Sequence, residues 1–470
     1  MLIRRAYPLL VAGLVAASTA TPAVAQSGDA YYDFLMARRL EAQGDNTGAL
    51  AALERAAAAD PRAAEVKGEI ASFQLRRSKR DEAEKAAREA IALDDTNTEG
   101  HKVLGLIFAA TADTFNGRAQ AAQFASNARE AIAHLERAIV DVSGASDINL
   151  HYTLGRLYMR MGDTSKAVDA LTKVVTQNPG SVQGRLSLAQ AYAAADDLKG
   201  AISTLDIIVD EEPRVASTLA QYLEQAGLLT EAAETYTKAI ALQPMSRELK
   251  FRRVAVLFSA KAFAQAATFA ADAQTQHPDD PRFPRLRARA VFETGAAARA
   301  FGILEPVAKA FPKDTATQFA LADMYNDAGR DSDAERIMRQ LLETDPGNAE
   351  TLNYLGYLLA NQGRQLDEAI RLIQRALEAD PGNPSYLDSL GWAYFHRGDM
   401  DQAEKFLAPA AQQLPRNAVI QDHLGDVFAR RGRWVDAVAA WTRALEGDSG
   451  DINRAVIDKK IQDAKGRSNR

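Results

Sequence analysis

Apolar side chains recur along this chain at spacings of three and four, and glycine and proline interrupt them at regular intervals. That pattern predicts helices from end to end. One apolar position is an alanine ladder: Ala167, Ala201, Ala232, Ala266, Ala300, Ala334, Ala369 and Ala403. Twelve residues after each rung stands a proline: Pro179, Pro213, Pro244, Pro278, Pro312, Pro346, Pro381 and Pro415. The prolines are separated by 34, 31, 34, 34, 34, 35 and 34 residues. A fixed period of about 34 predicts an all-α solenoid, in which each helix-turn-helix unit buries its apolar face against its neighbours.

Within a repeat, position eight is small and position eleven is large, as in Gly155 with Tyr158, Ala189 with Tyr192, Gly356 with Leu359, Gly391 with Tyr394 and Gly425 with Phe428. The small residue lets the first helix lie close to the second, and the large one fills the space beside it. Positions 20, 24 and 27, such as Ala334, Met338 and Leu341, continue the apolar face on the second helix. Gly44, Gly162, Gly227, Gly295, Gly329, Gly363, Gly398 and Gly432 share position fifteen, where a left-handed residue closes the first helix. The proline at position 32 then stops the second helix, often within a turn such as Asp345-Pro346-Gly347-Asn348. Three irregularities are predicted. Extra residues near 111–128 lengthen the helices of the third repeat or add a loop, the short step from Pro213 to Pro244 disturbs stacking, and 451–465 forms a closing helix with Asp451 as its N-cap.

These small, large, alanine and proline positions resemble the tetratricopeptide repeat across roughly residues 30–446. The resemblance implies a right-handed superhelix of about twelve helix pairs, with first helices lining a concave groove and a C-terminal capping helix. The expected organisation is a leader over 1–25, the superhelix over 26–446, and a capping helix with tail over 447–470.

Composition narrows the setting. Hydrophobic residues make up 47% and aromatics 7%, which suits close-packed helices better than strands. With 56 basic and 62 acidic residues the net charge is −6, and removing Arg4 and Arg5 with a leader makes it −8. This balance argues against general nucleic-acid binding. Arg4 and Arg5, the apolar stretch Leu9 to Ala20 and the motif Ala23-Val24-Ala25 read as a secretory signal cleaved after Ala25. The apolar run is too short to span a bilayer, so no transmembrane segment is expected after cleavage. The chain has no cysteine, which excludes disulfides, thiolate metal sites, a cysteine nucleophile and a lipidated N-terminal cysteine. The expected compartment is a bacterial periplasm.

No catalytic motif stands out. The histidines His101, His134, His151, His277, His396 and His423 form no pair four residues apart, and no zinc, phosphate-loop or nucleophile-elbow motif occurs. The chain therefore reads as non-enzymatic, with no cofactor or metal. By the family resemblance, the groove of the last three repeats presents Asn353, Tyr354, Tyr357, Asp388, Trp392, Phe395, His396, Asp422, His423 and Asp426. Aromatic rings beside hydrogen-bonding groups suit a peptide groove. Two roles stand open for Trp392, Tyr357 and Phe395: groove contact, or packing between repeats. A basic patch of Arg282, Arg285, Arg287 and Arg289, with Arg252 and Arg253 one repeat earlier, would bind carboxylates or form a solvated face paired with acidic neighbours. Trp434 and Trp441 read as core.

The run from 348 to 446, including Asn353-Tyr354-Leu355-Gly356-Tyr357 and Asp388-Ser389-Leu390-Gly391-Trp392, is similar to the C-terminal part of bacterial envelope tetratricopeptide adaptors. Those adaptors partner periplasmic carboxy-terminal processing proteases and deliver cell-wall hydrolases to them. The resemblance implies a protein-binding scaffold that joins such enzymes to their substrates. This chain departs from the adaptors in having no cysteine for a lipid anchor. An alternative is a scaffold for polysaccharide export or envelope-complex assembly, with the arginine patch facing an anionic partner.

Overall fold

The computed structural model describes residues 22–115, 117–140, 146–448 and 452–468, and every regular element among them is a helix. There are 25 α-helices and two short 3₁₀ turns in the described residues. The leader expected over 1–25 falls mostly outside them, although α1 begins at Pro22.

The described residues form two compact units, divided between Leu242 and Gln243. The first holds six helix pairs: α1 (Pro22–Ala42) with α2 (Asn46–Ala59), α3 (Ala64–Arg76) with α4 (Arg80–Leu93), α5 (Thr98–Asp113) with α6 (Ala121–Ala138), α7 (Ile148–Met161) with α8 (Thr164–Gln177), α9 (Val182–Ala194) with α10 (Leu198–Asp206), and α11 (Ala216–Gln225) with α12 (Leu229–Leu242). The second holds six more: α13 (Arg247–Ser259) with α14 (Phe263–Gln276), α15 (Arg282–Glu293) with α16 (Ala297–Ala310), α17 (Thr315–Asp327) with α18 (Asp331–Thr344), α19 (Ala349–Asn361) with α20 (Leu366–Ala379), α21 (Pro384–Arg397) with α22 (Met400–Gln413), and α23 (Ala418–Arg430) with α24 (Trp434–Glu446). A single helix, α25 (Arg454–Ser468), closes it. Twelve pairs and a closing helix match the repeat count.

All eight alanines of the ladder are fully buried, at 0% exposure. A Cβ placed on Gly391 would lie 2.6 Å from Leu407 Cγ and 3.0 Å from the Ala403 carbonyl oxygen, and one on Gly356 would lie 2.5 Å from Ile373 Cγ1. The small residue at position eight thus sets how closely the two helices of a pair approach. In the second unit the resulting core runs without a break from Ala288 to Ala464.

Outside the lengthened third repeat, the turn after the first helix is left-handed whatever residue it carries. The eight glycines at position fifteen have φ between 64° and 87°. Three repeats place Ser78, Asp196 and Lys261 at the same position, and these too have φ near 60° (60°, 61° and 57°). The fold therefore imposes on them a conformation that costs an L-residue about 1–2 kcal/mol. After the proline turn, the asparagine caps the next first helix: Asn348 accepts from the Thr351 amide at 2.9 Å and Asn417 from the Ile420 amide at 3.1 Å.

The irregular repeats resolve as follows. In the third, the extra residues do both things expected: α5 and α6 lengthen to 16 and 18 residues, and a 3₁₀ turn at Arg118–Gln120 joins them. Near the short step, α10 ends after nine residues and Pro213 opens a 3₁₀ turn instead of stopping a helix. This corrects the proline-as-terminator reading there, because Pro213 stands where its missing N–H has no helical acceptor to lose. The closing helix starts later than expected, at Arg454, and Asn453 caps it by accepting from the Val456 amide at 3.2 Å; Asp451 lies outside the described residues.

Gly391→Ala should lower stability by about 1–3 kcal/mol, because neither backbone nor Leu407 can yield freely. Lys261→Gly should raise it by about 1 kcal/mol by relieving the left-handed conformation. Urea melts of the two variants beside the parent chain check the opposite signs.

Candidate functional site

The groove residues named from sequence lie on α19, α21 and α23 and sort into three groups. On α19, the Tyr354 hydroxyl donates to Asp323 Oδ1 at 2.6 Å and its ring tilts against Phe319 at 5.5 Å. Burial, with the Asp323 charge beside it, holds this phenol far above its ordinary range, and burial also raises the Asp323 carboxyl. Asn353 on the same helix is half-buried, with Oδ1 enclosed and without a hydrogen-bond partner; Tyr357 is half-buried.

The second group centres on Trp392. Its indole stacks on the His423 imidazole at 3.8 Å between centroids and 13° between planes, and on Phe395 at 4.8 Å and 4°. His396 meets it edge-on at 4.7 Å, and Trp392 Nε1 donates to Asn361 Oδ1 at 3.3 Å. His423 Nδ1 is 2.9 Å from Asp388 Oδ1. The carboxylate can only accept, so Nδ1 carries the proton and the ring is fixed against the indole. Asp388, Trp392 and His423 are buried, with Trp392 9% exposed, whereas Phe395 is half-buried and His396 exposed. Of the two roles open for these aromatics, Trp392 has the packing position, and Phe395 and His396 form its accessible edge. Asp388 with His423 orients an imidazole, and the nearby Ser389 hydroxyl donates to the Ser385 carbonyl at 2.9 Å.

The third group is tied to the closing helix. Lys460 Nζ on α25 bridges Asp422 Oδ1 at 2.9 Å and Asp426 Oδ1 at 2.7 Å, and Trp441 Nε1 donates to Asp426 Oδ1 at 3.2 Å. Burial raises the Asp426 carboxyl against the pull of the ammonium. Burial opposes the charge on Lys460 too, yet the two carboxylates hold its pKa above the ordinary value. Trp441 is core, as expected, but Trp434 is only half-buried and lies under the Arg467 guanidinium, 5.0 Å from the ring.

The basic patch is paired internally. Arg282 contacts Asp280 at 2.8 Å and Glu248 at 3.2 Å; Arg285 contacts Asp314 at 3.5 Å; Arg289 contacts Asp327 at 2.8 Å and Glu293 at 2.9 Å; and Arg252 contacts Glu248 at 3.2 Å. Arg287 donates to Gln274 at 3.2 Å, and Arg253 lies over Phe269 at 4.1 Å. Of the two sequence readings, this is the paired helix face.

Sequence spacing did not reveal a histidine pair that the fold creates. His101 and His134, on α5 and α6, meet with Nδ1 atoms 2.8 Å apart, and His101 Nε2 lies 2.9 Å from the Asp95 carbonyl oxygen. The carbonyl accepts, so His101 Nε2 carries its proton, and His134 Nδ1 is the donor between the rings. Burial first, then His101, lowers the pKa of His134; Glu130 opposes this, and Arg88 and Arg137 add to it. Among the described residues no group of three or more His, Cys, Asp or Glu side chains could hold a metal ion, and no helix is long and apolar enough to cross a membrane.

The matching family models agree with the repeat architecture. Two family models, both described as tetratricopeptide repeat, match this chain: one over 158–222 and 358–425, the other over 34–98, 217–281 and 319–384. A TPR repeat-containing protein of Pseudomonas aeruginosa is 26% identical over 181 residues, which is 38% of this chain and only 30% of that relative. Among solved structures, yeast Tom70 aligns with 94% of this chain and 96% of its own, at 13% identity and a TM-score of 0.48. A tetratricopeptide repeat protein from Parabacteroides merdae aligns with 68% of this chain and 98% of its own, at 13% identity and a TM-score of 0.38.

Trp392→Ala should cost about 3 kcal/mol or more, as for other buried aromatic truncations, and a denaturant melt reads this directly. An unchanged melt would return Trp392 to the accessible surface. For the histidine pair, the native pKa of His134 lies below its unfolded value of 6.5, so the unfolded chain binds the extra proton. The stability that neutral His134 contributes is complete above about pH 6.5 and is lost as pH falls toward the lower native pKa. The stability gap between parent and His134→Gln should therefore narrow from pH 7.5 to pH 5.

Proposed function

Because this chain belongs to the tetratricopeptide repeat family, we propose that it is an exported, non-enzymatic scaffold of the bacterial cell envelope. It brings a periplasmic protease or cell-wall enzyme together with its substrates. Tetratricopeptide repeat proteins bind other proteins or peptides, and the first helices of α19 to α23 supply a preformed face for this. The observation that carries the binding reading is the accessible aromatic edge of Phe395 and His396, backed by the rigid Trp392–His423 stack. A ring held in place before binding loses little entropy when a partner docks.

Export rests on the signal-like features of residues 1–25, namely Arg4-Arg5, the short apolar run and Ala23-Val24-Ala25. The protease and hydrolase partners rest on the likeness of residues 348–446 to envelope adaptors. The polysaccharide-export alternative leaned on a free arginine patch, and that patch is spent on internal ion pairs.

The test is affinity capture with the full tagged chain from a periplasmic extract, with proteins identified by mass spectrometry. A carboxy-terminal processing protease or a cell-wall hydrolase should be enriched, and the His396→Ala and Phe395→Ala variants should recover about tenfold less of it. Recovery of polysaccharide-export components alone, or a chain kept in the cytoplasm with its leader intact, would overturn the proposal.

A further inference from the structure

The three tryptophans of the 470-residue chain, Trp392, Trp434 and Trp441, all lie within the last two repeats of the second unit. Beside them opens a cavity of about 700 Å³, the size range of ligand pockets, lined by residues of α21, α23, α24 and α25. Its apolar surface is Phe395, Trp434 and Trp441 with Ala429 and Ala464, and Phe395 joins it to the Trp392 stack.

Two arginines and one carboxylate, Asp463, stand on its rim. Arg430 and Arg467 both line the cavity, and each guanidinium lies over one of its rings: Arg430 at 5.4 Å from Phe395, Arg467 at 5.0 Å from Trp434. Neither makes a carboxylate contact among the described residues. The adjacent arginines behave differently. Arg431 and Arg433 are both held by Glu404, at 3.3 and 2.6 Å. Lys460, at the other end, is already neutralised by Asp422 and Asp426. The cavity thus combines an aromatic floor with two planar cations outside any ion pair among the described residues, which favour carboxylates, and with one carboxylate of its own, Asp463, a turn before Arg467 on α25.

We propose that this cavity binds an extended, acidic segment of a partner protein, with one large apolar side chain in the pocket and carboxylates two residues to either side on Arg430 and Arg467. The geometry sets the register. Phe395, Ala429 and Ala464 sit on the alternate helices α21, α23 and α25, and helices that pack side by side lie about 8–10 Å apart, so the strip is about 20 Å long. That length holds about six extended residues at roughly 3.3 Å each, which is more than a single terminal residue would use. In an extended chain neighbouring side chains point to opposite faces, so an acid next to the apolar anchor would face away, while acids at i−2 and i+2 share its face. The inference rests on the scaffold reading above and specifies the chemistry of its partner.

The test uses the full chain and a synthetic, C-terminally amidated peptide of sequence Gly-Glu-Gly-Phe-Gly-Glu-Gly, with intrinsic tryptophan fluorescence as the readout because Trp434 and Trp441 line the cavity. Saturable binding is expected, weakening as salt rises. Replacing both glutamates with glutamine should weaken it about tenfold, and replacing phenylalanine with alanine should weaken it by at least as much. Arg430→Gln and Arg467→Gln should each weaken binding about threefold to fivefold, as rim ion pairs do. A melt of each variant should match the parent, since both side chains are exposed at helix ends. Equal affinity for the glutamate and glutamine peptides, no effect of either arginine variant, or binding only by the free-acid form of the peptide would overturn the inference. If the peptide fails while the capture experiment succeeds, only this inference falls; if capture also fails, the scaffold reading falls with it.

Discussion

The structure depends on one constraint, the distance at which the two helices of a pair can approach. Gly356 and Gly391 leave no room for a Cβ against Ile373 and Leu407, and the alanine ladder fills the remaining gap with a single methyl group. This close approach fixes the orientation of each first helix, and therefore where its outward positions point. It also explains why the left-handed turn is kept even where it is strained. Ser78 and Asp196 accept positive φ because shifting the turn would misplace Ala71 and Ala189, the small buried residues seven positions earlier, and open the core.

From that scaffold follows the division of labour among charged residues. Many of its guanidinium groups pair with the chain's own carboxylates, within a helix or across to a neighbouring repeat. Arg339, for example, lies 2.8 Å from Glu335 and 2.8 Å from Glu368, and Arg289 reaches Asp327 in the next repeat. Exposed pairs of this kind add little stability singly. Arg430 and Arg467 are set apart by lying over the rings of one cavity, without a carboxylate partner among the described residues.

Much of the fold was legible in the sequence because period, small residue, glycine and proline all describe one backbone path. The Asp345–Asn348 turn and the Gly398 closure needed no tertiary information. What sequence could not reach were contacts between helices far apart in the chain. His101 and His134 are 33 residues apart, on the two helices of the lengthened third repeat, so no local motif relates them. Lys460 was missed for the same reason: it lies beyond the last proline, yet it binds Asp422 and Asp426. The arginine cluster on α15 misled in the opposite way, because its partners, such as Glu248 and Asp314, sit in adjoining repeats.

The same argument separates the residues that build the site from those that contact a partner. A side chain that meets the next repeat at close range, as Trp392 meets His423, is committed to stacking and holds the two first helices in register. A side chain one turn further on, such as Phe395 or His396, rests on that stack but turns an edge outward. On α21 the two kinds share one helix, so large aromatic residues mark binding surfaces only through their position. Trp434 is the informative case. It lies on the same second helix as the core residue Trp441, yet it remains half-buried under an arginine at the cavity rim. An indole left partly in water at the end of a well-packed array gains little for folding, and its apolar face remains available to a partner.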